Sequence, residues 1–219
     1  EQYFSFNYGN VHVVNLDSQL TARDTEQMAA MKQWFIDDMS ATLSAGEFHW
    51  TIVIFHHPVY TKGGHDSDNG DHIFKNYDRP MLDMREQFVP LFDQYGVDLV
   101  YNGHDHFYER SYYLQGHTGL SSTFDPVLHA ELNTAGDPTS GRGKEAYNQV
   151  TKSGADDRVV YSVVGSSGKL TLTEDPKHPA HLLRKTQMGS VLLDITEQQL
   201  DARFILSDGS VGDHFILTR

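Results

Sequence analysis

Six of the thirteen histidines, His56, His57, His65, His72, His104 and His106, fall between residues 56 and 106. Four of them follow short apolar, β-branched runs. His56 and His57 come directly after Trp50-Thr-Ile-Val-Ile-Phe55, and His104 and His106 come after Val97-Asp-Leu-Val-Tyr101 and a short Asn102-Gly103 link. Imidazole is the commonest nitrogen ligand for zinc, iron and related ions, and two histidines one residue apart on a loop can face two neighbouring metals. Gly103 allows a sharp turn out of the strand. A lone histidine at a strand end is more often a hydrogen-bonded structural residue than a ligand. The coincidence at two strand ends reverses that preference. His12, His49, His117, His129, His178, His181 and His214 show no such coincidence and read as structural or surface residues.

Other chemistries fail on composition or spacing. With no cysteine, disulfides, thiolate zinc sites and cysteine nucleophiles are excluded. Lys and Arg number 17 against 30 Asp and Glu, a formal charge of −13. That balance argues against nucleic-acid binding, which needs basic patches to displace counterions. A phosphate ester substrate stays compatible with it, because bound cations would dominate the local field. Gly165-Ser-Ser-Gly-Lys169 lacks the glycine six residues before the lysine and the hydroxyl residue after it that a phosphate loop requires, and it is expected to form a turn. Asp66-Ser-Asp-Asn-Gly-Asp71 resembles a calcium loop but lacks the closing glutamate, so an exposed acidic loop is expected.

The elements that would position these histidines can be read from periodicity. Tyr3 to Asp17 forms a hairpin around Gly9-Asn10. Met28, Met31, Phe35, Met39 and Leu43 recur every three or four residues, which predicts an amphipathic helix over 24–43. Met81, Met84, Phe88, Leu91 and Tyr95 predict a second helix, with Pro90 kinking or restarting it and Gly96 ending it. The order strand, helix, strand implies parallel strands joined by crossovers, and such folds gather ligands at the strand ends. Beyond a loop-rich stretch over 116–157, the runs 159–164, 190–195, 200–206 and 214–217 predict a largely antiparallel tail.

The blocks Val53-Ile-Phe-His56-His57-Pro58-Val59-Tyr60 and Gly103-His104-Asp105-His106-Phe107-Tyr108-Glu109-Arg110 resemble the last two motifs of the calcineurin-like metallophosphoesterases, and Tyr-Glu-Arg is similar to their purple acid phosphatase branch. The likeness spans most of residues 3 to 115. It implies that His56 and His104 ligate one metal and His106 the other, with iron, zinc or manganese as the two ions. It implies that His65 contacts the substrate phosphate or leaving group as a general acid, with His72 as a second candidate for substrate binding. His57 occupies a variable position of the motif and receives no ligand role. In such sites two metals activate a water and orient the phosphate, so no protein nucleophile is required.

The resemblance also implies an α/β fold, the four-layer α-β-β-α sandwich of that family. The family's earlier blocks, which supply the bridging aspartate, a second carboxylate, a tyrosine and an asparagine, have no counterpart here; Gly70-Asp71-His72 stands in the wrong order. Residues 1–219 therefore read as the C-terminal part of one catalytic domain, with a loop-rich insertion around 116–157, partnered by the N-terminal half of the same domain. The expected function is phosphate ester hydrolysis by a dinuclear metal centre, inactive in the isolated chain. The alternative is a non-catalytic fragment or pseudo-enzyme scaffold that binds a partner. No run of membrane-spanning length and no secretory leader precede or interrupt the chain, so a membrane partner is not expected. The resemblance favours a periplasmic or extracellular location.

Overall fold

The computed structural model describes residues 2–19, 24–46, 48–69, 78–149, 157–172 and 176–219. The aromatic and β-branched residues around Gly9 form the hairpin β1 (Phe4–Tyr8) and β2 (Val11–Asn15), with Gly9 in the left-handed region at φ 56°. Helix α1 (Thr25–Ala45) begins at Asp24, whose carboxylate accepts the backbone N–H groups of Glu26 and Gln27 at 2.9 and 3.1 Å. Such a cap stabilises a helix by about 1 kcal/mol. Gly46 ends it at φ 65°. Its buried stripe, Met28, Met31, Phe35 and Met39, follows the sequence periodicity, while Leu43 is only half-buried.

Strand β3 (Trp50–Ile54) follows, then α2 (Arg79–Gln94), then β4 (Leu99–Asn102) and β5 (Tyr108–Leu114). Helix α2 runs unbroken through Pro90, so the expected restart does not occur. Pro90 lies on the exposed face of the helix. The remaining strands are β6 (Tyr147–Asn148), β7 (Val159–Val164), β8 (His181–Lys185), β9 (Gly189–Ile195), β10 (Gln199–Leu206) and β11 (Val211–Thr218).

These strands make two sheets. One is seven-stranded in the order β1-β2-β3-β4-β7-β5-β8, with β2, β3, β4 and β7 mutually parallel. The other is four-stranded in the order β6-β11-β10-β9, antiparallel except for β6 against β11. The central strands of the first sheet are buried on both faces. Met31, Phe35, Phe88 and Phe92 of the helices pack with Val53 and Val100 on one side. Trp50, Ile52 and Leu99 meet Leu200, Ala202 and Phe215 of the second sheet on the other. This gives three layers, helices on sheet on sheet. Among the described residues no helix of comparable length covers the outer face of the second sheet.

The stretch read as an insertion is partly integrated. It supplies β6, places Tyr147 fully inside the inter-sheet core, and sends Arg142 to the buried Asp213. Among the described residues, no helix is long and apolar enough to cross a membrane.

Candidate metal centre

Strands β3 and β4 are parallel neighbours with Ile54 opposite Tyr101, so their C-terminal ends emerge side by side. Beyond the last ladder pair the two segments stay tied. Phe55 N–H donates to Tyr101 O at 3.2 Å, Asn102 Nδ2 to Phe55 O at 2.9 Å, and Gly103 N–H to His56 O at 3.0 Å. His104 itself adopts φ 67°, the left-handed region that a side chain rarely occupies. Such backbone persists only when its surroundings enforce it. Gly165, at the end of β7, is one of those surroundings: a methyl group there would overlap the carbonyl oxygen of Asp105. The segment that failed as a phosphate loop is therefore a short 3-10 turn on which the histidine loop rests.

The two strand ends bring His56 Nε2 to 3.1 Å from His104 Nδ1. That separation suits a shared proton, and equally two bonds of roughly 2.0 to 2.1 Å to a common ion. His57, 2% exposed, joins them with its ring 4.5 Å from that of His104, and the nitrogens of all three lie within 4.8 Å of one another. His57 Nδ1 is hydrogen-bonded to Ser18 Oγ at 2.7 Å. Burial, reinforced by the neighbouring imidazoles, pushes its pKa down to about 3. Burial and His104 lower His56 as well. Neutral imidazoles are the ligand form, so a metal need not displace protons from these two rings at neutral pH.

A second cluster shares His104. His65 Nδ1 lies 2.8 Å from Asp78 Oδ1, and His104 Nε2 lies 3.7 Å from the same oxygen. The rings of His65 and His104 are 3.9 Å apart. The hydrogen bond to Asp78 raises the His65 pKa against the opposing effect of burial. Burial works against ionisation of Asp78, but the nearby His104 ring and the hydrogen bond to His65 outweigh it and hold the carboxyl below its ordinary range.

The loop carrying His65 is held from several sides. Buried Arg85 on α2 donates to Val59 O at 3.0 Å, Ser67 Oγ at 3.2 Å and Asp68 Oδ1 at 3.2 Å. Thr61 Oγ1 bridges the buried carboxylates of Asp105 and Glu109 at 2.8 and 2.7 Å. The described part of the acidic stretch is thus not a free surface loop. Asp66 pairs with Lys62, Asp68 pairs with Arg85 and Lys62, and Ser67 is fully buried, because cations and backbone N–H groups absorb the acidic charge.

Of the residues singled out by sequence, the structure brings His56, His104 and His65 together. His106 stands outside both clusters, with Nδ1 3.2 Å from Thr171 Oγ1. His72, like Gly70 and Asp71, lies outside the described residues. Asp78 escaped sequence reasoning because it stands in a polar stretch with no motif to single it out. In the structure it makes no side-chain cap bond. The site offers imidazole nitrogens at ion-sharing distance with one carboxylate alongside. That set suits zinc, iron or manganese at His56 and His104.

The calcineurin-like phosphoesterase family profile matches residues 2–108. Purple acid phosphatase 18 of Arabidopsis thaliana is 29% identical over 134 residues, covering 61% of this chain and 26% of that protein. An acid phosphatase of Aspergillus ficuum is 27% identical over 169 residues, covering 60% of this chain and 25% of that one. The chain thus spans about a quarter of the length of these curated relatives. Among solved structures, a purple acid phosphatase from yellow lupin (Lupinus luteus) seeds superposes with a TM-score of 0.64 at 20% identity, over 99% of this chain and 32% of that one. GAP50, the anchor in the inner membrane complex of Plasmodium, superposes at 0.56 with 13% identity, over 99% of this chain and 53% of that one. By these matches and by the histidine blocks that carry them, residues 2–108 fit the calcineurin-like phosphoesterase family, and the chain has homologues and structural neighbours of the purple acid phosphatase type.

Proposed function

We propose that this chain is the C-terminal part of a phosphate ester hydrolase with a dinuclear metal centre, and that it contributes the histidine half of that centre. The observation that carries the reading is the 3.1 Å approach of His56 Nε2 to His104 Nδ1 across two parallel strand ends. In this reading His56 and His104 hold one ion and His106 serves the other. A bound metal would supply Lewis acidity at these residues. His65, whose pKa the hydrogen bond to Asp78 raises, would donate a proton to the departing alkoxide.

The surroundings support a missing complement. Beside His56 lies an open recess of about 540 Å³ lined by Asn15, Asp17, Ile54, Tyr101 and Asn102. A second, apolar recess of about 460 Å³ separates the first hairpin from β9 and is lined by Phe6, Tyr8, Val13, Ile52, Leu193 and Ile195. Strand β9 is an edge strand, and Phe4, Phe6 and Tyr8 are 40%, 50% and 80% exposed. Open edges and contiguous apolar surface of this kind ordinarily have a cover. The N-terminal half of the domain, with its carboxylate ligands and the fourth layer, is the cover we assign. Export to the periplasm or outside the cell belongs to the same proposal and rests on the family resemblance.

The test is a polypeptide joining this chain to a preceding segment that bears the missing ligand blocks. It should hydrolyse an aryl phosphate. There His104→Ala should remove metal and activity together, whereas His65→Ala should cost roughly 10²- to 10⁴-fold in turnover with near-normal metal content. Full activity in His104→Ala would overturn the reading.

A further inference from the structure

We infer that Asp78 is a positioning residue for this centre: its carboxylate sets the ring of His104 so that Nδ1 faces the ion and Nε2 carries the proton. The inference rests on the metal-site reading above. Three observations converge on it. First, Asp78 occupies the residue before α2, where an aspartate ordinarily caps the helix, yet its side chain makes no cap bond and turns to the histidines. Second, the His104 side chain is only 10% exposed, and its Nε2 is a buried polar atom without a hydrogen-bond partner. Asp78 Oδ1 lies 3.7 Å from that nitrogen, within ion-pair reach. Third, the other ring nitrogen, Nδ1, is already committed to the side where His56 Nε2 approaches to 3.1 Å.

The chemistry follows from how imidazole ligates. A metal-bound histidine presents one nitrogen as a lone pair, and the tautomer is decided by what accepts the proton on the other. A carboxylate in that role fixes ring orientation and raises ligand basicity, and removing it typically costs about 10- to 100-fold in metal affinity. Asp78 also hydrogen-bonds His65 at 2.8 Å. One carboxylate therefore lies between a metal ligand and the proposed acid, whose ring centroids are 3.9 Å apart. The left-handed backbone of His104 adds to the need for such a support, since strain there leaves the ring orientation dependent on its neighbours.

The experiment uses the full chain with Zn²⁺ as probe, its affinity read by chelator competition and the His104 tautomer by long-range ¹H–¹⁵N correlation, assigned against His104→Gln. Asp78→Ala should weaken Zn²⁺ by about 10- to 100-fold and turn a predominantly Nε2–H ring into a tautomer mixture. Asp78→Asn, which keeps an acceptor oxygen and suits the same backbone, should fall between parent and Asp78→Ala in both readouts. Helix content by circular dichroism should not change, as no cap is lost. His56→Ala separates the two readings. If it abolishes Zn²⁺ binding while both Asp78 variants keep the parent affinity and the parent tautomer, the role of Asp78 is overturned and the metal site stands. If His56→Ala leaves Zn²⁺ binding intact, the metal site itself falls, and the Asp78 inference with it.

Discussion

Two polar clusters in this molecule use their partners in opposite ways. Between the sheets, Asp213 accepts from Arg110 Nε at 2.6 Å, Arg110 Nη2 at 3.2 Å and Tyr108 OH at 2.9 Å, and is also paired with Arg142. The Arg110 and Asp213 side chains are both fully buried, and Arg110 also reaches Ser140 O and Tyr147 OH. At the strand ends, four imidazoles and one carboxylate crowd together with nitrogens facing one another, His56 exposed and His104 Nε2 unpartnered. The first cluster is complete within the protein and serves the fold. The second turns ring nitrogens towards one another and leaves one buried nitrogen without a hydrogen bond, the arrangement on which the metal-site proposal rests.

If that contrast is right, the clusters should fail differently. Asp213→Ala leaves Arg110 charged, buried and unpaired, and breaking a buried pair in this way costs about 3 to 5 kcal/mol. Urea denaturation should show that loss, while Zn²⁺ affinity of the folded fraction should match the parent. A parallel collapse of metal binding would mean that the clusters are not separate. The same carboxylate has an acid signature. Burial would raise its pKa, but Arg110 outweighs it and holds it at about 2, against an ordinary 3.8. A depressed carboxylate stabilises above its unfolded pKa, so this contribution should be lost as pH falls from about 4 towards 2, and Asp213→Asn should flatten that limb.

Gly165→Ala should connect the regions. Its methyl would overlap the Asp105 carbonyl, between His104 and His106 in sequence. Overpacking of this kind costs about 1 to 3 kcal/mol, and here Zn²⁺ affinity should fall as well. Unchanged affinity would show that the turn does not support the histidine loop. The smallest effect is expected at Asp93. Burial raises its pKa to about 6, against the hydrogen bond from Gly116 N–H. A raised carboxyl destabilises once ionised, so stability should decline as pH rises from about 4 to 6, and Asp93→Asn should remove that decline. A thermal melt series across this range checks the sign.

The contrast also explains which parts were legible in the sequence. The hairpin, α1, α2, β3 and β4 carry apolar periodicity, so their existence could be read directly. Strand β5 could not. Its Tyr108-Glu-Arg-Ser111 looks like polar loop, yet all four residues are buried, their charges matched by Arg184 and Asp213. Periodicity reads hydrophobicity and is blind to polarity neutralised by distant partners. Strand β8 was hidden for a related reason: only its first residue, His181, is buried, and the rest is a short half-buried edge. At the site, His56 and His104 were legible because both stand at the ends of buried strands. Asp78 was not, since it lies in a polar stretch whose local sequence does not say which distant side chains it meets.

The most direct test of the account is to load the chain alone with Zn²⁺, Mn²⁺ or iron and measure metal stoichiometry together with aryl phosphate hydrolysis. The account predicts at most one ion, dependent on both His56 and His104, and no turnover, because three imidazoles without the missing carboxylates leave two coordination shells incomplete. Two tightly bound ions with robust turnover, or metal binding indifferent to His56→Ala and His104→Ala, would contradict it.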